Sequence, residues 1–310
     1  MDRVDLLIAS TLRAPINPNL PVPLAISEIA EVEEAQPGEM VRIFDYTGED
    51  GNADDLYAIG DSTLTIHKIS PVEPATLTFV GLKSKLEYVL VDEVLPAVDQ
   101  NALARKKAGI SRAMDKQELK RICDGVLALD GDTDVGNVDC EVVQGTEDDI
   151  YALIDKMIEK VEPYATDYAL LVTAAVSRAM RNYSKDNAEN KQYDVSLNQL
   201  LADNGVTVIK VRGKVNGADI LADGKLILVG RKSGLAAGKP ITFVRRLFNA
   251  EIAKYMGIES GLPGRAISVA QAPTVISSGS GLIGFATFGY ESVIEAITNW
   301  RAICWSTFSA

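Results

Sequence analysis

The sequence predicts an α+β fold, and three stretches carry that expectation. A charged, Ala-rich segment from Val98 to Leu129 repeats its apolar residues at helical spacing, Met40 to Ile69 reads as a long hairpin, and from Tyr168 onward short strands alternate with short helices. With 310 residues, 47% of them hydrophobic, the chain can bury one large core or two modest ones.

In chain order, Met1 to Gln36 carries prolines at 15, 18, 21 and 23, which oppose helix, so an extended arm is expected. Ile16, Leu20, Val22 and Leu24 would need another surface to cover them, and a neighbouring chain is one answer. The strands MVRIFDYTG (Met40 to Gly48) and STLTIHKI (Ser62 to Ile69) then flank an acidic Gly/Asn/Asp tip. A tip of about a dozen residues is long for a hairpin and suits a projecting element, although a plain surface hairpin has the same sequence. After Pro74, ATLTFVGLKSKLEYVLVDEVL is rich in Thr, Val, Leu and aromatics, hence strand.

The Val98 to Leu129 stretch follows. Leu103, Ile110 and Met114, then Leu119, Ile122, Val126 and Leu129, recur at three- and four-residue steps, a rod of about 40 Å or more at roughly 1.5 Å per residue. The stripe slips phase at Asp115. Together with Glu118 this residue forms a D-x-x-E capping pattern, so a kink or a second helix is expected to begin there. TEDDIYALIDKMIEKV (Thr146 to Val161) is an amphipathic helix with Thr146 as cap. Glu147, Asp148 and Asp149 suit its positive end, and Lys156 and Lys160 its negative end.

Beyond it are expected a strand at Tyr168 to Thr173, a helix from Ala174 to about Asn182, a helix from Val195 to Asp203 closed by Asn204 and Gly205, and strands at Val206 to Val211 and Lys225 to Val229. The tail from Ala266 to Trp305 reads as strand, Gly/Ser turn, aromatic strand, short helix and last strand.

Composition narrows function. Lys and Arg total 31 against 43 Asp and Glu, a net charge of −12, so the chain is no nucleic-acid-wrapping polycation. Cys123, Cys140 and Cys304 share no ligand-like spacing and are expected to be reduced and buried. The first fifteen residues lack the charge pattern of a signal peptide, and no run approaches the roughly 20 apolar residues of a membrane span.

Each candidate chemical motif fails a test of context. Gly279-Ser280-Gly281-Leu282-Ile283-Gly284 is a literal G-x-G-x-x-G. Only 26 residues follow it, FATFGY reads as strand rather than helix, and no acid stands near position 300 for a ribose, so a glycine-rich turn is expected instead of a cofactor site. Asp130, Asp132, Asp134 and Glu141 fall at positions 1, 3, 5 and 12 of a calcium-loop pattern. Val135 stands where the sharp turn needs Gly, which favours an acidic solvated loop. His67 is the only histidine, so a histidine triad or a multi-His metal site is excluded. Arg245 and Arg246 are adjacent on a strand and face opposite sides, where a surface role is expected. No catalytic, cofactor-binding or metal residues are assigned.

The order of these parts resembles the major capsid proteins of tailed bacteriophages, the Hong Kong 97 type fold. The likeness is carried by LEYVLVDEVL running into the helix before MDKQELKRICDGV, by YALLVTAAVSRAMRN, and by the closing FATFGYESVIEAITNWRAICW, across about residues 40 to 306. The resemblance implies an N-terminal arm at 1–39, an extended loop at 40–75, a peripheral domain with a spine helix at 76–164, and from 165 to 310 an axial domain plus returning peripheral strands. It also implies a non-enzymatic virion component, assembled in the host cytoplasm as hexamers and pentamers around double-stranded DNA. A separate scaffolding protein, a portal and in some cases a cement protein would be its partners, with no membrane and no cofactor. With about 40 residues before the loop, no removed scaffolding segment is expected. One branch of the family crosslinks through a lysine in the extended loop. Gly48 to Thr63 holds none, so a noncovalent shell is expected. Encapsulin shells are the nearest alternative, set aside because the Pro-rich start shows no aromatic helix, and a soluble α/β enzyme using carboxylates is the alternative of a different class.

Overall fold

The computed structural model describes residues 24–41, 77–84, 87–90, 101–129, 148–186, 197–233, 238–247, 258–262, 264–271 and 283–308. The hairpin tip, His67, the Asp130 to Glu141 loop, Cys140 and the Thr146 cap lie outside them.

Immediately after Pro23, where an extended arm was expected, the chain forms a short helix, α1 (Leu24–Ile29), and then a strand, β1 (Glu31–Ala35). The proline cluster of the arm ends at position 23. Ile26 and Ile29, three apart, both point into the core of their own chain, so burial supplies what six residues of helix propensity cannot. Two cations of the body hold the segment: Arg231 pairs with Glu28, and the Lys239 ammonium donates to the Ser27 carbonyl.

The long helix α2 (Asn101–Leu127) is 27 residues without interruption, passing straight through Asp115. The expected break is absent because the residues that spoil the apolar stripe lie on the buried face. Ser111 and Glu118, seven apart, are buried in line with Met114, Ile122 and Val126, and Asp115 sits beside them. The stripe is continuous once its polar members are counted.

A seven-stranded sheet is built around β12 (Ile283–Ile297), a 15-residue strand. Along one edge of β12 lie, in series, β3 (Glu87–Leu90) and β2 (Val80–Lys83), both antiparallel to it. Along its other edge run, in series, β11 (Arg265–Gln271) and β9 (Ile241–Arg246), both antiparallel to it, with β10 (Ile258–Leu262) outside β11 and β1 in parallel outside β9. The first half of α2 packs Ile110 and Met114 on this sheet against Ile267.

The second sheet contains β13 (Ile303–Thr307), β8 (Lys225–Ser233), β4 (Ala165–Val172) and β5 (Val206–Lys210), in that order. β4 and β5 are parallel, joined through helices α4 (Ala174–Asp186) and α5 (Leu197–Asp203), which together with α3 (Asp148–Val161) cover one face. Asn204 donates to the Leu200 carbonyl at 2.9 Å and the Gly205 amide to the Ala202 carbonyl at 3.1 Å, which closes α5 where the sequence predicts. Both faces of β4 are covered: Tyr168, Leu170 and Val172 point to the three helices, and Ala169 and Leu171 point the other way. Continuous apolar runs such as YALLV and LILV are the composition such strands need. A two-stranded ribbon, β6 (Lys214–Val215) and β7 (Ala218–Asp219), turns at Asn216 and Gly217.

One core joins the two sheets. Leu119, Ile122, Cys123 and Val126 of α2, with Ile26 and Ile29 of α1, fill the space between Leu171, Ile227 and Val229 of the smaller sheet and Phe243 and Val293 of the larger. The second half of α2 is therefore a shared wall. Cys123 and Cys304 are both buried, as expected of them.

Candidate functional site

The most concentrated chemistry among the described residues lies where α2 crosses β9, β11 and β12. Strand alternation aims Arg245 of β9, Arg265 of β11, and Glu291, Val293 and Glu295 of β12 at the helix, which answers with Ser111, Asp115, Glu118 and Arg121. Glu118, Arg265 and Glu291 are wholly buried and Arg245 nearly so.

Glu118 accepts two hydrogen bonds from Arg245, from Nε at 2.7 Å and Nη2 at 2.8 Å, a fork-to-carboxylate pair. Its Oε1 also stands 3.0 Å from Nη2 of Arg265. Arg265 spends its remaining donors on Glu291, Nε to Oε2 at 2.8 Å, on Asp115, and on Ser111, whose hydroxyl is 3.1 Å and whose carbonyl is 3.3 Å from Nη1. Two guanidiniums thus tie one helix to three strands. One turn further along, Arg121 lies 3.1 Å from Glu295.

Two glycines make the approach possible. Gly264, at φ +76°, precedes Arg265 in the turn from β10, and a Cβ there would stand 2.9 Å from the Cβ of Arg245. Gly289 lies under the helix, where a Cβ would come within 2.5 Å of Ile110 Cγ2. A larger residue at Gly289 would press on α2, and one at Gly264 on β9.

Burial dominates the electrostatics of the seam. It raises the carboxyl of Asp115 above its ordinary value despite Arg265. Burial first, and the charge of Glu118 second, push Glu291 well above the usual carboxylate range. Burial likewise takes Glu295 to about 7 against the pull of Arg121, with Asp124 adding to the rise. Burial opposes the charge on Arg265, but Glu118, Glu291 and Asp115 together hold it more firmly protonated than a free arginine.

This arrangement fixes one element on another; its charged groups are spent on each other. The structure corrects two expectations here. Arg245 is buried in the seam, whereas Arg246, on the opposite face as alternation requires, lies over the Phe79 ring at 3.8 Å. Asp115 and Glu118 are partners of arginines, not helix caps. Arg265, Glu291 and Glu295 had no local signal in the sequence. The signal that existed was the three- and four-residue spacing of Ser111, Asp115, Glu118 and Ile122. Of the glycine motif, Ile283 and Gly284 open β12, so a strand stands where a dinucleotide site needs a helix. No described helix is long and apolar enough to cross a membrane.

No protein-family model matches the chain, and no curated protein sequence does. Solved structures do. The virus-like particle from Pyrococcus furiosus is similar over 98% of this chain and 100% of its own, with a TM-score of 0.52 at 10% identity. The capsid of the cyanophage P-SCSP1u is similar over 91% of this chain and 87% of its own, TM-score 0.54 at 11% identity. The capsid of an empty GTA particle covers 92% and 89%, TM-score 0.55 at 10% identity. At such identities the likeness shows a shared fold, and the fold these three share with the chain is the α+β architecture expected from the order of its motifs.

Proposed function

We propose, taking the Hong Kong 97 type capsid fold of this chain as the premise, that it is the major capsid protein of a tailed bacteriophage. It assembles as hexamers and pentamers into an icosahedral shell that encloses double-stranded DNA. The observation that carries this reading is the likeness to the subunits of a virus-like particle and of two capsids along nearly the whole chain. In this reading residues 1–39 are the arm, 40–75 the extended loop, 76–164 the peripheral domain and 165–310 the axial domain with returning strands. Its partners in assembly are a separate scaffolding protein, a portal and, on some shells, a cement protein. A net charge of −12 suits a wall that encloses nucleic acid without gripping it. The absence of lysine from Gly48 to Thr63 favours a noncovalent shell.

Negative-stain microscopy of the purified chain, alone and coexpressed with a scaffold, tests the proposal. Hollow shells are expected, and only species of under about a dozen subunits in every condition would overturn it. Boiled shells should run as a single band near 33.3 kDa, not as a ladder. The likeness to a virus-like particle also admits a compartment that holds protein cargo. Nuclease-protected double-stranded DNA inside particles made during infection separates the two.

A further inference from the structure

The seam between α2 and β12 does not balance its charge. At one end, three carboxylates, Asp115 and Glu118 of the helix and Glu291 of the strand, face two guanidiniums, Arg245 of β9 and Arg265 of β11. The other charged groups around it are engaged elsewhere or distant. Lys107, the next buried charge on the same helix, lies two turns before Asp115, about 12 Å along the axis. Lys83 of β2 is exposed and offers only its carbonyl, to Gln117 at 2.8 Å. Lys116 turns aside to Gly213, before β6, and Glu28 of α1 is held by Arg231. One oxygen of Glu291, Oε1, is buried with no hydrogen-bond partner. At the other end, Glu295 faces Arg121 without a hydrogen bond, since Glu295 Oε2 and Arg121 Nε are both buried and unpartnered. The neighbouring Asp124 is taken by Lys120 at 2.9 Å. Ionised, Glu291 places an excess negative charge with one unmatched oxygen in the interior, and Glu295, its side chain 18% exposed, loses most of its hydration; protonation removes the charge and with it the larger part of that cost.

We propose that this seam is a proton-operated latch: the long helix is gripped by the sheet with Glu291 and Glu295 protonated, and the grip slackens as they ionise. The inference stands on the geometry of a single chain and does not depend on the shell reading. The direction of the upward shifts at both residues agrees with it. Because the folded state keeps these protons in a range where an unfolded chain has released them, stability is greatest below the ordinary glutamate range. It falls as pH rises from there to about 7, the value for Glu295, and the loss is complete above it.

The test measures the full chain in two ways. In urea titrations, each latch carboxyl should raise the unfolding equilibrium constant by up to about tenfold per pH unit within that window. Glu291→Gln and Glu295→Gln, which copy the protonated shape, should each remove their share of that slope. An unchanged slope in the double variant would overturn the proposal. Should the variants fail to fold, infrared spectra of the unaltered chain decide. A carboxylic-acid carbonyl band present at pH 6 and gone by pH 8 is the expected result, and its absence at pH 6 refutes the latch.

Discussion

Glu118→Ala removes the fork partner of Arg245. The structure sets the size of the effect. Arg245 is nearly buried and loses both of its short hydrogen bonds, at 2.7 and 2.8 Å, whereas Arg265 keeps Asp115, Ser111 and Glu291. Only one cation is therefore orphaned. Breaking a buried pair from one side costs about 3–5 kcal/mol, because the remaining charge has neither water nor partner. A chain of 310 residues unfolds with an entropy near 0.65 kcal/mol per kelvin by the usual per-residue average, which turns that cost into a drop of roughly 5–8 °C in Tm. Removing both partners together, as Glu118→Leu with Arg245→Met, takes the stranded charge away and should cost less than either single change. Thermal and urea unfolding of the two singles and the double form a cycle with an expected coupling of about 2–4 kcal/mol. A single substitution costing under about 1 kcal/mol, or a double whose cost equals the sum of its parts, would refute the assignment of the seam as a charge-paired lock.

Gly289→Ala puts a methyl 2.5 Å from Ile110 Cγ2 and 3.4 Å from Met114. A loss of about 1–3 kcal/mol is expected on denaturation, partly recovered by Ile110→Leu, which removes the branch methyl that clashes. Cys123, whose thiol burial pushes up to about 12, and the buried Cys304 should resist alkylation at pH 8 in the native protein and react fully in urea. Peptide mapping by mass spectrometry checks this, and native-state labelling of Cys123 would contradict its place between the sheets.

Most of the secondary structure was legible because it is written locally. The amphipathic pattern of Asp148–Val161, the Asn204-Gly205 stop and the apolar runs of β4 and β8 each state their environment within a few residues. The short helix Leu24–Ile29 was not legible. Its neighbouring prolines speak against helix, and only the distant core that receives Ile26 and Ile29 decides otherwise. The seam was misread for a related reason. A carboxylate that pairs with an arginine 127 or 150 residues away looks, in sequence, like a carboxylate that caps a helix. Glu291 and Arg265 sit in unremarkable strand sequence, and nothing local says that their partners are inside the protein. The charge alternation of the helix was visible, but its buried share became apparent only when the strands were set beneath it.

The grip of α2 on the sheet is part apolar, through Ile110, Met114 and Val293, and part ionic, through Arg245 and Arg265. These two parts respond oppositely to heat. Apolar stabilisation levels off as temperature rises, while the cost of stripping water from charged groups declines. Heating therefore shifts the load on the helix toward its arginines, and the seam should hold a growing share of the subunit's rigidity as the surrounding core softens.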